Sequence, residues 1–227
     1  MSNKGHTNLV IVPSRNRPEN AERTIKALQE HSRISDFCIA IDDDQADLYP
    51  RLDGVMYEVN PRLWMNGTLN LVASRHAQSY KTVHFLGDDH LVKTPGWDEK
   101  LYAPIKDRGF GLSYGDDLFQ RVNLATSVMM STNIIKTLGF MAPPKLTHLF
   151  MDNFWMNLGY ALQCIDFVEE VVIEHLHFMN GKSESDAGYI EVNSHKLYSQ
   201  DQKVFLDYMN KDFRDDIAKL VKEFIIE

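Results

Sequence analysis

Val83-His84-Phe85-Leu86-Gly87-Asp88-Asp89-His90 is the stretch on which the reading of the whole chain turns. A mostly apolar run ends abruptly in a glycine, two carboxylates and an imidazole. An apolar run closed by turn residues is the pattern of a buried strand. Residues 83–86 are therefore expected to be a strand, with Asp88, Asp89 and His90 at its carboxyl end. In open α/β sheets that end is where ligands bind. Adjacent carboxylates repel each other and a cation relieves the repulsion, so a pair of acids beside a diphosphate suits Mg²⁺ or Mn²⁺. The competing reading is a solvated turn, because aspartate is common in turns.

Working outward, the chain before this stretch alternates strands and helices. Residues 8–12 are a short apolar strand followed by the loop Pro13-Ser14-Arg15-Asn16-Arg17-Pro18. Pro18 suits the first turn of a helix and Asn16 suits its cap. Ala21, Ile25 and Leu28 give helical spacing over residues 19–30. Residues 37–41 are a second strand, ending in Asp42-Asp43-Asp44, and residues 55–59 a third. Early strands that end in polar residues predict a parallel sheet with a ligand edge. Trp64-Met65-Asn66-Gly67 opens a helix over roughly residues 68–79, where Gly67 is either a turn glycine or a point of close ligand approach.

After the acidic stretch, Thr94 and Pro95 read as the cap and first residue of another helix. Strands are expected at residues 111–114 and 126–131, and a helix at 133–138. An aromatic helix then begins near Asp152 and ends near Cys164. The apolar run 168–173 reaches Glu174-His175-Leu176-His177, and a polar segment follows with Lys182 and Asp186. Residues 202–226 read as one or two amphipathic helices. No repeat, low-complexity tract or interdomain linker is evident.

Composition sets outer bounds. The chain has 227 residues, 44% hydrophobic and 25% charged, which fits one domain with a real core. No apolar run could span a bilayer, and the polar start Met1-Ser2-Asn3-Lys4-Gly5-His6 lacks a signal-peptide core. Cys38 and Cys164 sit in apolar contexts and are expected to be buried thiols of a cytoplasmic protein. A net charge of -8 argues against a broad footprint on duplex DNA.

Several residues carry two readings. His175 and His177 share a face if they lie on one strand, and either could reach a metal or be structural. Asp152 is either a helix cap or a general base for an acceptor hydroxyl. Asp42, Asp43 and Asp44 form a solvated turn or contact a ribose or base edge. Arg15, Arg17 and Lys182 are surface charges or partners of a diphosphate. Trp64, Trp97 and Trp155 are core residues or stacking platforms.

In their order along the chain these residues resemble the GT-A glycosyltransferases, especially family 2-like enzymes and small phage-encoded relatives. Ile11-Val12-Pro13-Ser14-Arg15-Asn16-Arg17-Pro18 looks like their first strand and nucleotide loop. Leu86-Gly87-Asp88-Asp89-His90, with Pro95-Gly96-Trp97 beyond it, is similar to their metal motif, although Gly87 replaces the first aspartate of the usual Asp-x-Asp. Glu174 to His177, then Gly181-Lys182 and Asp186, looks like the closing segment of the phage-type group. The resemblance covers most of residues 8–190.

It implies an α/β fold: a Rossmann-like, mostly parallel sheet with helices on both faces and a C-terminal helical tail. Residues 1–227 would be one domain, with a nucleotide-binding half at about 8–100, an acceptor half at about 101–190 and the tail at about 195–227. Metal-dependent transfer of a sugar from a nucleotide-diphosphate sugar to a hydroxyl would follow, with Mn²⁺ or Mg²⁺ as cofactor. The metal set would be Asp89 as direct ligand with Asp88, His175 and His177, with His177 preferred to His175. Asp88 would also touch the sugar. Donor contacts would include Pro13, Ser14, Arg15, Arg17, Asp42, Asp44, Asn66, Gly67, Asn70 and Lys182, and Asp152 would be the base of an inverting step, with retention left open. The acceptor could be a sugar, a small molecule or a hydroxymethylated DNA base, the last in the host cytoplasm if the chain is phage-encoded. Two rival functions stand beside this. One is nucleotidyl transfer to sugar phosphates, against which the loop Pro13 to Pro18 lacks glycine. The other is a non-catalytic carbohydrate- or DNA-binding relative.

Overall fold

The structure is a computed structural model that describes residues 7–182 and 187–224. Asp186 and the polar N-terminal residues lie outside the described part. Eight strands form a sheet: β1 Asn8–Ser14, β2 Ser35–Asp42, β3 Val55–Asn60, β4 Thr82–Phe85, β5 His90–Val92, β6 Leu112–Asp116, β7 Val128–Ser131 and β8 Ile165–His175. Their order is β3-β2-β1-β4-β7-β6-β8-β5. β1, β2, β3 and β4 run parallel, as do β6 and β8, whereas β7 is antiparallel to β4 and β6, and β5 to β8. The sheet is mostly parallel, as expected.

Helices cover both faces because alternate residues of the central strands point opposite ways. Leu9 and Ile11 pack with α2 (Trp64–His76), α4 (Thr132–Leu138) and α5 (Met151–Leu162). Val10 and Val12 pack with α1 (Pro18–His31) and α3 (Trp97–Arg108). Both faces of β1 are fully buried. Beyond α6 (Ala187–Val192), the tail folds back as α7 (His195–Lys211) and α8 (Phe213–Phe224), and Leu220 of α8 enters the first core. No helix among the described residues is long and apolar enough to cross a membrane.

Three local expectations are corrected. Arg17, not Asn16, stands at the cap position of α1, because Asn16 takes a left-handed turn at φ 58°. Thr94 does not cap α3; it accepts from Val172 N at 2.9 Å and so ties the chain to β8, while Gly96 precedes the helix at φ 67°. The helix expected over 68–79 starts at Trp64, which places Gly67 in its first turn. A side chain there would stand 2.9 Å from Leu63 Cβ, so Gly67 answers local crowding.

Candidate active site

The acidic turn divides its two carboxylates between two directions. Asp88 turns toward the β1 loop, accepting from Ser14 Oγ at 2.6 Å and facing Arg17 Nη1 at 3.4 Å. Thr24 anchors the turn from α1 by donating to the backbone oxygens of Asp88 and His90. Burial, and then the charge of Asp89, push the Asp88 pKa up to about 6 against the pull of Arg17 and Ser14. Asp89 turns the other way, with Oδ1 3.1 Å from His90 Nδ1 and Oδ2 3.4 Å from His175 Nε2. Burial pushes its pKa up, but His175 and His90 more than offset that and hold it well below the usual carboxylate range. Gly87 makes this fold of the turn feasible. A Cβ there would lie 2.7 Å from Asp89 Oδ1 and 2.9 Å from His90 Nδ1, so an aspartate at 87 would require those side chains to shift.

Pairing of β5 with β8 sets His90 opposite His175, and their rings stack 4.2 Å apart. One oxygen or nitrogen from each of Asp89, His90 and His175 lies within 4.8 Å of the others. His90 Nε2 is buried without a hydrogen-bond partner. On the far side, Asp117 Oδ2 lies 3.9 Å from His175 Nδ1, beyond hydrogen-bond reach but close enough to act through charge. Burial lowers the His175 pKa, but Asp117 and Asp89 outweigh it and raise it to about 9. His177, expected to reach the metal before His175, is not in this group, though it lines a cavity beside Asp89. It lies past the end of β8, where its ring stacks on Phe119 at 5.7 Å and meets Tyr189 edge-on.

Two cavities meet at Asp89. The first, about 230 Å³, is lined by Pro13, Ser14, Arg15, Arg17, Asp42 and Asp88, and by Arg62 and Trp64. Asp44 stands beside it, joined to Arg15 by two contacts of 2.7 Å. The second, about 210 Å³, is lined by Asp152, His148, His175, His177, Phe85, Phe150 and Trp155 among others. Met65, Gly87, Asp89, His148, Tyr189 and Val192 belong to both walls.

Besides Asp44, four expected donor contacts line neither cavity. Asn66 donates to the backbone oxygens of Pro143 and Leu146, and Asn70 donates to Ala142 O and accepts from Met141 N, so both fasten a loop to α2. Gly67 lies beside them in the same helix turn. Lys182 pairs with Glu174 at 2.6 Å. Of the tryptophans, Trp97 and Trp155 are core, whereas Trp64 carries the Arg62 guanidinium 4.1 Å over its ring.

Asp152 is the second residue of α5, and its carboxylate accepts from Asn153 N at 2.8 Å rather than capping from the position before the helix. Burial raises its pKa. The cap position belongs to Phe150, held at φ 67° between Tyr198 and Phe205 of α7. The buried carboxylate of Asp201, also on α7, accepts from the backbone amides of Thr147, His148 and Leu149. The C-terminal tail thus braces the loop that delivers Asp152. Reading the sequence alone overlooks His90 as a candidate ligand, along with Arg62, Asp117, His148, Tyr189 and Asp201. Only His90 carried a signal, as the imidazole next to the acid pair.

No family model matches the sequence, and no curated protein matches it. Solved structures do. TarS 1–349 of S. aureus superposes with a TM-score of 0.55 at 11% identity, over 74% of this chain and 59% of that one. Glucosyl-3-phosphoglycerate synthase of Mycobacterium tuberculosis, solved with Mn²⁺, UDP-glucose and phosphoglyceric acid, gives 0.60 at 14% identity, over 88% of this chain and 80% of that one. GalNAc-T7, solved with UDP, GalNAc and Mn²⁺, gives 0.64 at 15% identity, over 99% of this chain and 59% of that one. The fold is GT-A. The chain spans 43% of full TarS and 59% of its 1–349 fragment.

Within this GT-A frame the two cavities differ in charge. Arg15, Arg17 and Arg62 line the first. Neither lysine nor arginine is among the described residues lining the second, and its His148 is held neutral by burial, with a pKa lowered to about 4. α6 closes the junction: Tyr189 donates to Asp89, Arg17 lies 4.4 Å over the Tyr189 ring, and Glu191 pairs with Arg62 at 2.8 Å.

Proposed function

We propose that this chain is a metal-dependent glycosyltransferase that moves a sugar from a nucleotide-diphosphate sugar to a hydroxyl acceptor. One observation carries the reading: an arginine-lined cleft and a cavity holding the half-buried carboxylate of Asp152 meet at a carboxylate flanked by two imidazoles. GT-A neighbours crystallised with Mn²⁺ and UDP or UDP-glucose support it. The donor set fits a divalent cation. Asp89, His90 and His175 offer one oxygen and two nitrogens at close quarters, and His90 Nε2 is buried without a partner. Carboxylate suits Mn²⁺ or Mg²⁺, and imidazole favours Mn²⁺ of the two. When bound, such an ion supplies Lewis acidity that stabilises a departing diphosphate.

The residues of the chain do the rest. Arg17, with Arg15 beyond it, lines the cleft where the diphosphate would lie and shares its charge. Asp88 faces the same cleft as the sugar contact. Asp152 accepts the proton of the acceptor hydroxyl while that oxygen bonds to the anomeric carbon and the bond to the diphosphate breaks. One such displacement inverts the anomeric centre. The elevated pKa of Asp152 makes it a better base than a solvated aspartate. On this reading residues 8–100 carry most of the donor site and residues 101–190 most of the acceptor site. The buried free thiols Cys38 and Cys164 suit a cytoplasmic setting.

A hydroxymethylated DNA base as acceptor, and with it a phage origin, gains no support from these neighbours. Nucleotidyl transfer is disfavoured by a β1 loop without glycine. The test is calorimetric titration of UDP and GDP with and without Mn²⁺, followed by release of nucleoside diphosphate from a panel of sugar nucleotides. Metal-dependent binding and turnover are expected. Nucleotide binding that is indifferent to Mn²⁺ would refute the proposal, and binding without turnover would favour a non-catalytic relative.

A further inference from the structure

We infer that His148 reads the transferred sugar, by hydrogen-bonding one hydroxyl of the donor's sugar ring, and so sets donor specificity. The inference rests on the glycosyltransferase reading for where the sugar lies. In that reading the diphosphate lies along Arg17 and the acceptor hydroxyl meets Asp152. The sugar between them then occupies the junction of the two cavities. Six residues belong to both walls there: Met65, Gly87, Asp89, His148, Tyr189 and Val192. Met65, Gly87 and Val192 bring no side-chain donor. Asp89 is committed to His90 and His175, and Tyr189 donates to Asp89. His148 is the remaining polar side chain.

The ring is available for that contact. Among the described residues no hydrogen bond or ion pair engages the His148 imidazole, and its nitrogens are not sealed inside the protein. A neutral imidazole offers one N–H and one lone pair, which matches a hydroxyl that both donates and accepts. Partial burial keeps the ring in that neutral form. The backbone that carries it is fixed from two sides. Asp201 of α7 accepts from the amides of Thr147, His148 and Leu149 at 2.9, 2.8 and 2.8 Å. On the other side Thr147 O accepts from Asn66 N of α2 at 3.1 Å. A polar group positioned before the ligand arrives has less order left to gain on binding. A site built to hydrogen-bond a hydroxyl also rejects an analogue that lacks it.

The experiment uses the full chain and calorimetry, with and without Mn²⁺. The probes are UDP, GDP, UDP-glucose, UDP-galactose, UDP-N-acetylglucosamine and GDP-mannose. The sugar nucleotide that gains most over its free diphosphate is then compared with its monodeoxy forms. In the wild type, loss of one particular hydroxyl is expected to cost about threefold to tenfold in affinity, the range of a single hydrogen bond. His148→Ala is expected to leave the affinity for the free diphosphate within about twofold, to weaken the sugar nucleotide by that same factor and to abolish the cost of that one deoxygenation. His148→Gln, which keeps a donor and an acceptor, is expected to recover part of the discrimination, as a purely packing role would not. Equal deoxy penalties in the wild type and His148→Ala overturn the inference, as does an equal loss of affinity for diphosphate and sugar nucleotide. Wild-type binding of UDP and GDP that is indifferent to Mn²⁺ would sink the glycosyltransferase reading, and the inference with it. Binding that depends on Mn²⁺, with deoxy penalties unchanged by His148→Ala, would sink the inference alone.

Discussion

The phenol of Tyr189 donates to Oδ2 of Asp89 at 2.5 Å, which ties α6 to the acidic turn across 100 residues of sequence. The same oxygen faces His175 Nε2. A cation bound by Asp89 must therefore compete with the phenol for that carboxylate. Tyr189→Phe removes the competitor and keeps the ring under Arg17. Binding of Mn²⁺ is expected to tighten by about fivefold to tenfold, in line with the roughly 1–1.5 kcal/mol net worth of a hydrogen bond. Calorimetry that shows weaker binding in the variant would mean that the phenol orients Asp89 for the metal.

Grouping of Asp89 with His90 and His175 separates three histidines. His90→Ala and His175→Ala are each expected to weaken Mn²⁺ binding at least tenfold, while His177→Ala changes it less than threefold. The check is a set of Mn²⁺ titrations followed by electron paramagnetic resonance. A dominant effect of His177 would require the end of β8 to rearrange on binding.

Asp152→Asn retains shape and the acceptor oxygen for Asn153 N, but not basicity. Turnover is expected to fall by about 10²–10⁴, with affinity for the donor nucleotide unchanged, because a base acts in the transition state. Near-wild-type turnover would leave Asp152 with a structural role at the start of α5. A product of retained configuration would exclude the single displacement.

His84 and His148 are held neutral in the fold, with burial lowering their pKa values to about 3 and about 4. A histidine in the unfolded chain titrates near about 6.5. Their folded values are depressed, so stability is intact above that pH and is lost as pH falls from it toward 4. Each contributes a slope of about 1.4 kcal/mol per pH unit. Asp88 works in the opposite sense between pH 6 and 4, because its raised pKa favours the folded state as it takes up a proton. The informative quantity is therefore a difference. Denaturant melts of the metal-free protein should show that His84→Gln loses less stability between pH 6.5 and 5 than the wild type. Parallel curves would mean that His84 is protonated inside the fold.

Short-range patterns made a good part of this protein legible. The apolar run of β1, the helical spacing of Ala21, Ile25 and Leu28, and the stop at Gly87-Asp88-Asp89 are local consequences of backbone geometry. They were enough to predict a sheet with helices on both faces and acids at a strand end. The fate of individual polar side chains was not local. Asn66 and Asn70 have the composition of ligand contacts, yet they hydrogen-bond to a loop more than 70 residues away. Asp201, just before the stretch 202–226 expected to be helical, carries no signal in the sequence, but it is fully buried and holds three amides of the Asp152 loop. His90 and His175 face each other only because β5 pairs with β8 in one register, and His177 is left out because that strand ends two residues earlier. A pattern along the chain states which face a residue takes within its own element. Which elements meet, and in what register, is decided by packing across the whole sheet, and that packing selected the imidazoles beside Asp89.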